Sequence, residues 1–106
     1  MVKEITVQEL KALMDEKKDF QLIDVREPYE NEICTLNGLL IPIAYIENRM
    51  TEISKDKKVV IHCRSGARSA AAIMQLEQLH GFDNLYNLKG GILAWQEAFD
   101  PNMPVY

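Results

Sequence analysis

Hydrophobic positions along the chain follow two periods, which predict short buried strands separated by amphipathic helices. Apolar positions spaced by three and four residues predict helices over residues 7–17 and 67–79. Continuous apolar runs, typical of parallel strands covered on both faces, occur at residues 20–25, 39–41 and 59–61. Strands and helices alternate, so we expect an α/β fold whose mainly parallel sheet is flanked by helices on both faces.

Local sequence signals set the expected ends of several elements. Thr6 and Glu9 match a capping box at the start of the first helix. Pro28 suits the first turn of a short helix that runs through Ile33, and Gly81 suits the left-handed C-cap of the long helix. The remaining predictions are an edge strand at 4–6, a helix over roughly 44–53, a last strand at 84–88, a helix over 92–99 and a terminal arm at 100–104.

Cys63 follows the strand predicted at 59–61, and a short loop joins it to the next helix, which begins near Ala67. Such a loop directs backbone N–H groups and the positive end of the helix dipole toward the thiol. A free cysteine titrates near pH ~8.5, so only roughly 3% is thiolate at pH 7. We expect Arg64 and Arg68 to lower the pKa of Cys63, while Gly66 lets the backbone turn. These features favour a reactive nucleophile over an inert buried cysteine.

Composition and charge narrow the classes of protein that fit. With 106 residues, 47% hydrophobic and 26% charged, we expect a single domain over residues 1–106 of an ordinary soluble protein. The net charge of −4 gives no support for a nucleic-acid partner, and no apolar run is long enough to cross a membrane. The first residues lack the pattern of a secretory signal, and Cys34 and Cys63 form no metal motif. We therefore expect a cytoplasmic protein without metal or cofactor, and its oligomeric state is left open.

Three stretches resemble motifs of the rhodanese-like sulfurtransferases, in the order in which that family has them. Residues 22–27 (Leu-Ile-Asp-Val-Arg-Glu) resemble its early strand end, and residues 88–95 (Leu-Lys-Gly-Gly-Ile-Leu-Ala-Trp) resemble its C-terminal signature. Residues 63–69 (Cys-Arg-Ser-Gly-Ala-Arg-Ser) resemble its active-site loop. The resemblance implies a five-stranded rhodanese domain with this loop at the C-terminal edge of the central strand. It also implies that Cys63 is the catalytic nucleophile and that the substrate is bound by Arg64, Ser65, Gly66, Ala67, Arg68 and Ser69.

The reaction implied by the resemblance is sulfur transfer through a Cys63 persulfide. The thiolate attacks the outer sulfur of a small anionic donor such as thiosulfate, and a second nucleophile, for example a sulfur-acceptor protein, removes that sulfur. We expect Asp24 and Arg26 to support the site as an ion pair that fixes neighbouring loops. Residues 32–42 depart from the common family pattern and are similar to rhodanese domains linked to molybdopterin and thiamine sulfur-incorporation enzymes. Within that stretch, Cys34 is either a resolving thiol or a packed one.

Two other functions stay open at this point. A cysteine phosphatase uses a similar thiolate, but its signature has an arginine six positions after the cysteine, whereas Arg68 lies five positions after Cys63. This spacing favours sulfur over phosphate. Alternatively, the chain is a sulfur-carrier or docking module for a partner protein and has little activity on free thiosulfate. The sequence names neither the physiological donor nor the acceptor.

Overall fold

The structure, a computed structural model, describes residues 1–105 and contains one sheet of five parallel strands. In chain order the strands are β1 (Glu4–Ile5), β2 (Phe20–Asp24), β3 (Leu39–Leu40), β4 (Lys58–His62) and β5 (Leu85–Leu88). Across the sheet they run β1-β5-β4-β2-β3, and every neighbouring pair is parallel. The predicted α/β fold with a five-stranded sheet is confirmed. The strand that leads to Cys63 is central.

Helices cover both faces of the sheet, as predicted. Both faces of the central strand β4 are apolar, so each needs a covering layer. The helices are α1 (Val7–Asp15), α2 (Pro28–Ile33), α3 (Ala67–His80) and α4 (Gly91–Phe99). On one face, Val59 and Ile61 of β4 pack in a buried cluster with residues of α3. On the other face, Val60 packs with residues of α1 and α4. Within residues 1–105, no helix has both the length and the apolar character needed to cross a membrane.

The helix ends that carry a local sequence signal form as predicted. The Thr6 hydroxyl accepts from the Glu9 amide, and the Glu9 carboxylate accepts from the Thr6 amide, which completes the capping box. Helix α2 begins at Pro28 and ends at Ile33. Gly81 caps α3 in the left-handed conformation, with a φ of 72°.

The helix predicted over residues 44–53 is wrong. The segment instead forms two short 3₁₀ turns, Ile43–Tyr45 and Met50–Glu52, separated by further turns. Its β-branched residues have weak helix propensity, and Ile46 and Ile53 are both buried in the core. Burial of these two side chains outweighs the local helical pattern.

The strand predicted at residues 39–41 is shorter and less buried than expected. Only Leu39 and Leu40 pair with β2, and they form an edge of the sheet because no other strand of residues 1–105 pairs with their other side. Leu39 is 38% exposed, whereas Ile41, just beyond the strand, is fully buried. The apolar run at residues 39–41 predicted burial throughout, but only its last residue, Ile41, is fully buried.

Candidate active site

The sulfur of Cys63 lies at the end of the central strand, inside the loop that leads into α3. The Gly66 amide donates a hydrogen bond to Cys63 Sγ at 3.1 Å, and the Ser69 hydroxyl lies 3.4 Å from the same sulfur. Gly66 has a φ of +107°, which lets the loop turn its amide inward. Cys63 is only 1% exposed. The loop thus surrounds a buried sulfur with hydrogen-bond donors.

These donors determine the protonation of Cys63. Burial raises the pKa of the Cys63 thiol, but hydrogen bonds from the Ser69 hydroxyl and from the backbone amides of Ser69, Gly66 and Ser65 outweigh burial. The net effect is a pKa below the ordinary value for cysteine. The sequence analysis predicted a lowered pKa from the loop amides, the helix N-terminus and the two arginines. In the structure, the contacts that lower the pKa are those of the Ser69 hydroxyl and of the loop amides.

Arg68 is engaged by a carboxylate that the sequence analysis did not single out. Its two terminal nitrogens donate to the two carboxylate oxygens of Glu30 in α2, at 2.7 and 2.8 Å. Hydrogen bonds from Arg68 hold the pKa of the buried Glu30 below its usual value. The pKa of Arg68 is raised mainly by Glu30, with a smaller attraction to Cys63. Arg68 therefore joins α2 to the start of α3 at the rim of the loop.

The remaining loop residues lie at different depths. Arg64 and Arg68 are partly exposed, and Ser65 and Ala67 are exposed, so these four residues form the outer rim. Ser69 is fully buried behind the sulfur. In the described part of the chain, no group of three or more His, Cys, Asp or Glu side chains is arranged to hold a metal ion.

Asp24 and Arg26 form a buried ion pair at the C-terminal end of β2. Arg26 Nη2 donates to Asp24 Oδ2 at 2.9 Å and to the Cys34 carbonyl at 2.7 Å. Burial disfavours both charges, but their pairing is stronger, so the pKa of Asp24 is lowered. The pair fixes the end of β2 to the segment after α2.

The two cysteines lie in different clusters. Cys34 packs with Val60 in the cluster covered by α1 and α4, whereas Cys63 belongs to the cluster on the α3 face. Both are buried free thiols. Because the sheet separates the two clusters, this arrangement favours the packed interpretation of Cys34 over that of a resolving thiol.

The first turn of helix α4 is hydrogen-bonded to the backbone of the loop that carries Cys63. The amides of Ile92 and Leu93 donate to the carbonyl oxygens of Cys63 and Arg64, at 3.0 and 3.1 Å. A Cβ on Gly91 would lie 2.7 Å from the Cys63 carbonyl oxygen and closer still to that of Arg64. The Gly90-Gly91 segment therefore lies directly against the loop that carries Cys63.

Asn87 is a second residue that sequence analysis missed. Its Oδ1 lies 2.5 Å from the Ser69 hydroxyl, and its Nδ2 donates to the Gly66 carbonyl at 3.1 Å. The available signal was position: Asn87 lies two residues after Leu85, so both face the α3 side of the sheet. A buried amide at such a position requires partners, and here they belong to the loop.

Fold and site together define a class of protein: parallel α/β domains in which a loop of amides surrounds a cysteine at the end of the central strand. The family model described as "Rhodanese-like domain" matches residues 6–98. The chain belongs to the rhodanese-like family.

Relatives and solved structures agree with this membership. A sulfurtransferase of Allochromatium vinosum is 43% identical over 96 residues, covering 90% of this chain and 89% of that protein. The probable adenylyltransferase/sulfurtransferase MoeZ of Mycobacterium tuberculosis is 35% identical over 105 residues, but this chain spans only 26% of its length. The crystal structure of a rhodanese-like domain protein from Staphylococcus aureus superposes with a TM-score of 0.81 at 33% identity, covering 99% of both chains.

Proposed function

We propose that this chain is a sulfurtransferase that moves sulfane sulfur from a donor such as thiosulfate to a thiophilic acceptor. The observation that carries the proposal is the set of donors directed at Cys63 Sγ, which favours a thiolate in a buried site. The sulfurtransferase relative that matches nearly the whole chain supports the same reaction class. The family match over residues 6–98 supports a single domain over residues 1–106.

The reaction proceeds in two balanced steps. The Cys63 thiolate attacks the outer sulfur of thiosulfate, the sulfur–sulfur bond breaks, and sulfite leaves with the electron pair. The enzyme now carries a persulfide on Cys63. An acceptor nucleophile then attacks the outer sulfur and regenerates the thiolate; with cyanide the product is thiocyanate. The loop amides stabilise the negative charge on sulfur in both steps.

A second candidate is a domain that receives sulfur from a protein persulfide and acts poorly on free thiosulfate. Two observations favour it. Glu30 engages both terminal nitrogens of Arg68, so the rim offers less net positive charge to a dianion. The similarity to MoeZ, which is named as an adenylyltransferase as well as a sulfurtransferase, supports a role beside a partner domain. A cysteine phosphatase is the least favoured function because Arg68 lies five positions after Cys63.

Intact-mass spectrometry tests the proposal. The wild-type chain, Cys63→Ser and the matched control Cys34→Ser are incubated with thiosulfate and then with cyanide. We expect one added sulfur atom on the wild type and on Cys34→Ser, its loss with thiocyanate release, and no addition to Cys63→Ser. If Cys63→Ser also gains a sulfur atom from thiosulfate, the assignment of Cys63 as the nucleophile is wrong.

A second set of donors separates the candidates. Sulfur uptake from a protein persulfide, without uptake from thiosulfate, supports the partner-fed domain. If neither donor loads Cys63, sulfur transfer is wrong, and release of phosphate from an aryl phosphate then tests the phosphatase alternative.

A further inference from the structure

The Ser69 hydroxyl lies within hydrogen-bond distance of three acceptors but has one proton to donate. Its Oγ is 2.5 Å from Asn87 Oδ1, 3.2 Å from the Gly66 carbonyl and 3.4 Å from Cys63 Sγ. Ser69 and Asn87 are both buried, so bulk water cannot supply a substitute partner. The three acceptors therefore compete for a single proton.

The orientation of the Asn87 amide decides this competition when the sulfur is neutral. The Gly66 carbonyl can only accept, so the side-chain group that faces it at 3.1 Å must be the Asn87 NH₂. Oδ1 then faces Ser69, and it carries no proton. The short contact between these two oxygens requires a proton from Ser69. The Ser69 hydrogen consequently points toward Asn87, and its oxygen is available to accept from the Cys63 thiol.

We propose that Asn87 is a positioning residue for the Ser69 hydroxyl. While Cys63 is neutral, Asn87 accepts the Ser69 hydrogen bond and so directs the proton away from the sulfur. When negative charge forms on the sulfur, the hydroxyl donates to the sulfur instead. The proposal rests on the role of Cys63 as a nucleophile. When the thiol loses its proton, the hydroxyl turns and donates to the sulfur, which leaves Asn87 Oδ1 without that partner. When a persulfide forms, the charge moves to the outer sulfur and the hydroxyl returns to Asn87.

Asn87 therefore opposes ionisation of Cys63, and its removal makes the thiolate easier to form. The loss of its NH₂ does not leave the Gly66 carbonyl unsatisfied, because that oxygen also accepts from the Ala70 amide at 3.1 Å. The charged groups around the loop are Arg68 at the start of α3, its partner Glu30 in α2, and Arg64 within the loop, and a change at position 87 alters none of these charges.

The test is the rate of alkylation of Cys63 by iodoacetamide as a function of pH, in chains that all carry Cys34→Ser. Asn87→Leu has a similar shape and removes the competing acceptor. We expect its alkylation midpoint to fall by about one pH unit, since one hydrogen bond to an anion is of that size. A midpoint that is unchanged or higher contradicts the proposal.

Two further variants separate positioning from a general structural effect. In a Ser69→Ala background, Asn87→Leu should leave the midpoint unchanged because the hydroxyl that links the two residues is gone. The matched control is Asn84→Leu, whose amide donates to the Ser54 and Lys57 carbonyls away from the loop, and it should not shift the midpoint. A shift of equal size in the Ser69→Ala background overturns the role of Asn87 through Ser69.

A measurement on Cys34→Ser alone covers the case in which variants at position 87 do not fold. At low pH, the S–H stretch of Cys63 should lie below the frequency of a free thiol, because the thiol donates to Ser69. An S–H stretch at the free-thiol frequency contradicts the proposed direction of the bonds. Alkylation measures only the ionisation of Cys63 and does not depend on sulfur transfer. If the chain takes up no sulfur but shows the predicted shifts in midpoint, the proposed function is wrong and the role of Asn87 still holds.

Discussion

The groups placed to stabilise a negative charge on Cys63 lie within six residues of it in the sequence. The Gly66 amide and the Ser69 hydroxyl reach the sulfur directly, and the amides of Ser65 and Ser69 add to them. Burial acts in the opposite direction because it disfavours the anion. The pKa of Cys63 is thus lowered because these short contacts outweigh the burial of the sulfur.

At this scale we predict that Ser69→Ala raises the alkylation midpoint of Cys63 by about one pH unit. The variant removes a hydrogen bond to the anion and puts nothing in its place. The measurement is the pH profile of iodoacetamide alkylation. Ser54→Ala is the control, because the Ser54 hydroxyl accepts from the Asp56 and Lys57 amides far from the loop. A profile of Ser69→Ala that matches the wild type would refute the stabilising role of the hydroxyl.

The placement of Cys63 in a loop of amides at the end of a strand could be predicted from the sequence, because residues 63–69 are contiguous and their small and cationic side chains mark the loop. Glu30 and Asn87 could not. Glu30 meets Arg68 across 38 positions, and Asn87 meets Ser69 across 18. Their contacts depend on the docking of α2 and on the register of β5 with β4, which no local pattern encodes. For the same reason, the sequence did not show that Arg68 is paired with Glu30.

At the scale of elements, the Glu30–Arg68 pair ties α2 to α3. Glu30 is buried, whereas Arg68 is partly exposed. We predict that Glu30→Gln lowers the free energy of unfolding by about 1–3 kcal/mol at pH 7, because it leaves a charged donor without its anion. Denaturant unfolding measures the loss. The control is Glu52→Gln, which removes a similar but more exposed pair with Arg49 and should cost at most about 0.5 kcal/mol.

The same pair has a defined dependence on pH. Arg68 lowers the folded pKa of Glu30, so its stabilisation is present above the unfolded value near ~4.3 and is lost as the pH falls through the folded pKa. The difference in stability between the wild type and Glu30→Gln should therefore shrink below about pH 4. A difference that stays constant down to strong acid would show that the charge of Glu30 does not matter.

The contact between α4 and the loop gives a sharper prediction. Gly91→Ala places a methyl group against the Cys63 and Arg64 carbonyls at a φ of +61°, and we expect a loss of about 3 kcal/mol together with a raised alkylation midpoint. Gly81→Ala is the matched control: its φ is +72°, but no other part of the described chain lies within 4 Å of the new methyl apart from its immediate neighbours in sequence, so the expected loss is about 1 kcal/mol. Equal losses from the two variants would rule out the proposed crowding.

Elements with a strong local signal were predictable, and those decided by packing were not. The capping box at Thr6 and the glycine cap at Gly81 are local hydrogen-bond arrangements, and both form as predicted. The segment at 44–53 has helical spacing, but two buried isoleucines fix it against the sheet in 3₁₀ turns. Tertiary contacts override weak helix propensity in such a segment.

At the scale of the whole molecule, we expect the buried His62 to contribute to the loss of stability in mild acid. Burial lowers the pKa of His62, and this outweighs its attraction to Asp24. Below the unfolded pKa near ~6.5, the unfolded chain binds a proton that the folded chain does not. We therefore predict that the free energy of unfolding falls by up to about 1.4 kcal/mol per pH unit between pH 6.5 and 5.

Unfolding by denaturant over this pH range measures the slope. His62→Phe should flatten it, because the variant has no proton to bind at this position. His80→Gln is the control, since His80 lies at the surface beside Glu47, and it should retain the contribution of His62. If His62→Phe keeps the wild-type slope, the acid sensitivity has another source.

The order of synthesis determines when the loop can form its hydrogen bonds with Ile92 and Leu93. Synthesis proceeds from the N-terminus, so the ribosome releases residues 63–69 before Asn87 and before helix α4. Until those later residues emerge, the Cys63 and Arg64 carbonyls lack the amides of α4, and the Ser69 hydroxyl lacks the side chain of Asn87. A nascent chain, or one cut short before Gly91, therefore lacks the two amides that hold the Cys63 and Arg64 carbonyls, and the loop gains these hydrogen bonds only once the last helix is in place.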